Sequence, residues 1–157
     1  MIVIGCLLIL VPKAEAVTVT ITKTFYSENY DGSIKAWGSP YTTVHENSSG
    51  SVNDGSVKIL VGQMYYVGEY EIDRAFLFFD TSVIPENANI TSAVLSIYIN
   101  SDNSDEDFNI TVQNGQPTYP HMPLQSGDYD CDFYIGNGGS RNTSEITGTG
   151  YWNITLS

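Results

Sequence analysis

Basic residues are scarce. The 157-residue chain carries six Lys and Arg against 18 Asp and Glu, a formal net charge of −12. Such a surface repels polyanions and anionic bilayers alike, which excludes nucleic acid and acidic membrane surfaces as partners. Cysteine is almost missing as well, with Cys6 and Cys131 alone. Cys6 lies in an N-terminal apolar run, so removal of that run leaves Cys131 without a partner for an intrachain disulfide. Cys131 then reads as a small core or loop thiol, or as half of a bridge to another chain. No apolar run approaches the roughly 20 residues that a membrane-spanning helix needs. Helical periodicity is absent beyond the N-terminal run, so no further helix is expected. Histidine is limited to His45 and His121, which fall in separate loops without metal-ligand spacing, and no Ser stands in a nucleophile motif. The chain therefore reads as non-catalytic. A carboxylate pair for glycoside hydrolysis is a geometric arrangement that a sequence does not display.

What is present is polar, small and β-forming. Charged residues make up only 15% of the chain, so Ser, Thr, Asn and Gly supply most of its polarity, as in a β-rich surface protein rather than a densely charged halophilic one. Residues 1–11 are apolar and are followed by Pro12, Lys13 and Ala14-Glu15-Ala16, the small-x-small pattern that precedes a signal-peptidase cut. The expectation is a signal peptide over residues 1–16 and a secreted or cell-surface mature domain over residues 17–157, with no membrane insertion after processing. The missing basic n-region points to an internal start or a truncated gene model. Val3-Ile4-Gly5-Cys6 looks like a lipid-attachment site, but there the cysteine should follow the apolar core, and here residues 7–11 extend the core beyond it.

Residues 74–99 hold the strongest core signal. Phe76 and Phe78 alternate with Leu77 and Phe79, so both faces of that run are apolar and it should be a central strand. In the second run Ala93, Leu95, Ile97 and Ile99 share one side, a period of two. Turn residues Asp80, Ser82, Pro85, Asn87 and Asn89 separate the two runs. The order Arg74, Phe76-Leu77, Phe79-Asp80-Thr81-Ser82, Ile84-Pro85, Ala88, Ile90-Thr91-Ser92-Ala93, Leu95-Ser96, Tyr98 resembles the DNRLRE-type domain, which is related to carbohydrate-binding module family 96. Residues 113–121 and 136–140 look like a subgroup of that family found in archaeal and environmental surface proteins. The resemblance implies an extracellular jelly roll with a tendency toward glycan or surface attachment, and no common catalytic motif.

Elsewhere residues 17–26 alternate Val17, Val19 and Ile21 with Thr and read as a strand. Short strands are expected at residues 33–37, 41–44, 57–61 and 64–70, the last running on into residue 74. Phe108, Ile110 and Val112 mark another strand, and Trp152, Ile154 and Leu156 a last one. Pro117, Pro120 and Pro123 make a rigid irregular loop. Such spacing predicts an all-β antiparallel sandwich of the jelly-roll type. Because the chain stops within a strand, a domain lacking its C-terminal strands is expected, where a partner for Cys131 would lie.

Three classes of candidate site follow. Sugar-binding modules stack pyranose rings on exposed aromatics, and Trp37, Tyr41, Tyr65, Tyr119, Tyr129 and Tyr134 fall outside the core patterns. Calcium could be held by Asn103, Asp105 and Asp107 or by Asp128, Asp130 and Asp132, where alternate carboxylates on an extended segment project to one side. Neither is an EF-hand, because Phe108 or Phe133 replaces the sixth-position glycine and Asn114 or Gly139 the twelfth-position glutamate. N-glycosylation sequons occur at Asn47, Asn89, Asn109, Asn142 and Asn153, with Asn109 and Asn153 on outward faces of their strands. Arg74 is expected to pair with a carboxylate such as Asp80. The sequence thus describes a secreted non-catalytic module that binds a polysaccharide or surface glycan. The alternative is a structural subunit of a surface layer, filament or virus-like particle, assembling with copies of itself through sheet edges.

Overall fold

Strand β4, Glu69–Phe76, lies inside a four-stranded antiparallel sheet of order β2-β1-β4-β3, with β1 at Gly32–Gly38, β2 at Ser51–Asn53 and β3 at Gly62–Tyr66. This computed structural model describes residues 19–56, 58–115 and 118–157. The expected signal segment 1–16 lies outside the described residues, as do Val17, Thr18, Val57, Gln116 and Pro117. Register pairs Gly32 with Phe76, Ile34 with Arg74 and Ala36 with Ile72. Those residues therefore share one face, which buries Ile34, Ala36, Ile72 and Phe76 against Val44, Leu124 and Tyr129. Tyr41, Val52, Tyr70, Phe78 and Tyr134 pack around that cluster.

Strand β5, Ala93–Ile99, pairs with β10, Gly150–Leu156, over seven residues. Their alternation follows the period of two: Trp152 and Ile154 are buried, Leu95 and Ile97 half-buried, and the residues between them exposed. Two shorter ladders complete the described strands, β6 (Asn109–Thr111) with β9 (Ser140–Asn142) and β7 (Asn114–Gly115) with β8 (Tyr134–Ile135). Arg141 ties β9 to β10, with its guanidinium 5.2 Å from the Trp152 ring and donating to the Asn153 carbonyl at 2.8 Å. The fold is all-β with antiparallel pairing throughout.

Several sequence expectations are corrected. Residues 19–26 form no strand, and Val19 and Ile21 are exposed, because no described residue pairs with this segment and only the adjacent Ser27 makes a single bridge, to Phe79. Residues 58–61 are likewise irregular. Instead of a strand, Tyr41–His45 is a short helix, α1. The amides of Thr43 and Val44 donate to the Pro40 carbonyl at 3.1 and 3.3 Å, and this turn delivers Val44 into the core. Single 3₁₀ turns also occur at Ser126–Tyr129, Cys131–Phe133 and Thr143–Glu145. The run 64–70 is broken by a tight turn at Val67 and Gly68, with φ of 52° and 89°, making β3 and β4 a hairpin. The apolar run 76–79 leaves the sheet after Phe76, since the Phe78 amide donates to Asp31 Oδ1 at 2.9 Å and its carbonyl accepts from Glu28 N at 2.9 Å.

Candidate functional site

Alternation on β1, β3 and β4 sends a second set of side chains to the face opposite the core. Register pairs Lys35 with Asp73, Trp37 with Glu71, Met64 with Glu71 and Tyr66 with Glu69, which assembles them into one patch. Of these, Lys35, Trp37, Met64, Tyr66, Glu69 and Glu71 line a shallow cleft of about 300 Å³ together with part of Tyr70. Trp37 is 58% exposed and Tyr66 72% exposed, so flat apolar rings are presented to solvent rather than packed. Between them Lys35 Nζ donates to Glu71 Oε2 at 3.1 Å. Asp73, at the buried end of the patch, has its carboxyl pushed up to about 6 by burial first and by the neighbouring Glu71 second, with Lys35 opposing. Rings flanked by carboxylates and an ammonium can cover the C–H face of a sugar and hydrogen-bond its hydroxyls.

The six aromatic candidates separate. Trp37 belongs to this patch, while Tyr65 and Tyr41 lie on the other face of the sheet, linked through Tyr70 at ring-centroid distances of 4.7 and 5.4 Å. Tyr119 stacks on Phe133 at 3.8 Å and is half-buried. Tyr129 is corrected outright: it is 0% exposed, its hydroxyl donates to the Val44 carbonyl at 3.0 Å, and Arg74 lies 4.2 Å over its ring. Tyr134 also faces inward, donating to the Asp128 carbonyl at 2.8 Å. Burial raises the pKa of both phenols, so neither offers a wet platform.

Arg74 does not pair with Asp80. Its guanidinium donates to the carbonyls of Tyr129 and His45, joining β4 to the 3₁₀ turn and α1, whereas Asp80 accepts from Ser82 N. The second calcium track is broken for a related reason. Asp128 is fully buried and accepts from Gln125 N at 2.7 Å, from His121 N at 3.1 Å and from the His121 ring at 2.6 Å. Asp130 caps the next turn, accepting from Asp132 N at 3.0 Å. Asp130, Cys131 and Asp132 bring their donor atoms within 4.8 Å of one another, but a thiol among carboxylates is a poor match for the all-oxygen shell of calcium. In the first track Asp107 accepts from Thr143, and Asn103 and Asp105 are exposed in a loop.

Among the sequons, Asn47 and Asn89 are exposed in connecting segments, and Asn109 and Asn153 face outward as expected. Asn142 is half-buried, donating to Asn109 Oδ1 at 2.9 Å and accepting from Ser144 N at 3.0 Å. Lys35, Met64, Tyr66, Glu69 and Glu71 were not among the sequence-derived site residues. Their common face depends on the turn at Val67-Gly68, which lacks the Asn-Gly or Asp-Gly signature of a tight hairpin. Comparison with protein-family models, with curated proteins and with solved structures gives no match to this chain.

Proposed function

We propose that this chain is an exported, non-catalytic module that holds a polysaccharide or surface glycan on the outer face of β1, β3 and β4. The observation that carries the reading is the exposed Trp37 ring beside Tyr66 over a cleft edged by Lys35, Glu69 and Glu71. An exposed indole on a regular sheet costs apolar hydration unless a partner covers it, and a sugar ring is a partner of matching size and mixed polarity. The resemblance of residues 74–98 to DNRLRE-type domains supports the same reading, with the sheets arranged as a jelly-roll sandwich and export through the segment 1–16. In affinity electrophoresis through gels containing soluble polysaccharides, the full chain is expected to be retarded by at least one of them. Trp37→Ala and Tyr66→Ala should each weaken that retardation about tenfold, as losing one well-placed stacking contact does. Retardation unchanged in both variants overturns the assignment of the face.

A second reading, a self-assembling structural subunit, is favoured by one observation. The outer edge of β5 is unpaired among the described residues, and the strand carries no charged side chain.

A further inference from the structure

The outward face of the β5-β10 pair is separate from the Trp37 cleft. Register sets Tyr151 against Tyr98, Asn153 against Ser96 and Thr155 against Val94, and all six of these residues are exposed. The two tyrosines meet edge to face at 5.2 Å, yet remain 77% and 59% exposed. An aromatic pair on a regular sheet, uncovered by any described residue, sits beside an asparagine whose own side chain makes no hydrogen bond among the described residues. Asn153-Ile154-Thr155 is a sequon, with Ile154 turned into the core and both Asn153 and Thr155 turned out.

We propose that Asn153 carries an N-linked glycan whose first pyranose lies over Tyr151 and covers the Tyr98-Tyr151 pair. Residues two apart on a strand are about 7 Å apart on the same face, a span that a pyranose attached at Asn153 bridges. Ser96, directly opposite, is small and leaves that space open. The other four sequons lack this arrangement. The residue two before the asparagine is His45, Asn87, Asp107 or Ser140, and only Asn153 has a Tyr, Phe or Trp there. Asn142 moreover donates its Nδ2 to Asn109 Oδ1, so a glycan there would compete with that contact for the same nitrogen.

The chemistry requires a lipid-pyrophosphate-linked oligosaccharide as donor and an oligosaccharyl transferase, which reads the Thr155 hydroxyl while the segment is extended. Asn153 Nδ2 forms a bond to the anomeric carbon as the bond from that carbon to the pyrophosphate oxygen breaks. The pyrophosphate leaves with the electron pair, and the Nδ2 proton passes to a base of the transferase, with no oxidation or reduction.

To test this, the full chain is led through the secretory pathway of a eukaryotic cell by a leader that functions in that host, fused ahead of residue 1. Glycopeptide mass spectrometry then measures occupancy at all five asparagines. The expected result is Asn153 occupied in most molecules, with a thermal midpoint about 2–4 °C above that of Asn153→Gln from the same host, the size of a stacking contact in a domain of this length. In a Tyr151→Ser background, whose altered side chain is exposed and leaves the core untouched, the same Asn153→Gln change should no longer shift the midpoint. An unmodified Asn153 overturns the proposal, as does a glycan at Asn153 whose loss leaves the midpoint unchanged. Neither result depends on polysaccharide retardation by the Trp37 face.

Discussion

Asp73 shows how one side chain on the candidate face couples that face to stability. Its ordinary pKa of 3.8 is raised to about 6 in the fold, chiefly by burial, so the folded chain binds a proton more readily than the unfolded chain does. The sign follows directly: the contribution favours folding below the ordinary value and is lost as pH rises through about 6, where the folded state must hold a desolvated carboxylate. Asp73→Asn is therefore expected to stabilise the chain at pH 7. The gain is about 1 kcal/mol once the partial exposure of the group is discounted, or about 2–4 °C in midpoint, and it should vanish near pH 4. Thermal melts of both proteins across that range check it; a constant difference at every pH would show that the carboxylate is not the cause. Glu71 stands two residues before Asp73 on the same face of β4, whereas Lys35 is brought opposite Asp73 by cross-strand register, which the sequence does not display.

At the scale of elements, the β3-β4 hairpin determines what the site contains. Its turn places Val67, a β-branched residue, at φ 52°, where the side chain crowds the backbone, and Gly68 at φ 89°. Replacing Val67 by Asn, which tolerates that region, should stabilise the protein by about 1 kcal/mol without altering the rings that flank the turn. Denaturant titration reads this as a higher midpoint with an unchanged slope. A lower midpoint would mean that the exposed Val67 side chain contributes a contact worth more than the strain. The same element explains an expectation that failed. Residues 64–70 alternate plausibly as one strand, and the chain reverses inside them because pairing Met64 with Glu71 and Tyr65 with Tyr70 completes a ladder on β4. Strands β5 and β10, by contrast, were legible residue by residue, since each buries one face and a one-residue slip would expose Trp152 and Ile154.

Across the whole molecule, apolar residues divide between a core under the four-stranded sheet and the buried Trp152 and Ile154 on the inner face of β10. The uncharged outer edge of β5, unpaired among the described residues, offers N–H and C=O groups to another strand, with no Lys or Glu on β5 to discourage pairing. Light scattering on a dilution series of the full chain is expected to show association that increases with concentration. Val94→Lys, which sets a charge at an exposed position on that strand, should reduce it. A monodisperse wild type at every concentration would remove the support for edge-mediated assembly. Such a result would leave the Trp37 cleft untouched, because it lies on a different sheet.

The sequence by itself determined the all-β class, the alternation of β5, β6 and β10, the burial of Phe76, and the strongly negative net charge. These follow from local rules, the period-two placement of apolar residues and the summed charge, which hold whatever the chain pairs with. Tertiary structure decided which polar and aromatic residues meet. It buried Tyr129 and Asp128, because Arg74 and the Val44 carbonyl arrive from distant segments and the loop before Asp128 folds His121 back onto it. It also turned residues 41–45 into a helix and left residues 19–26 unpaired. Finally, it gathered Trp37, Met64 and Tyr66 on one face, a grouping set by the register of three strands and by a turn with no sequence signature.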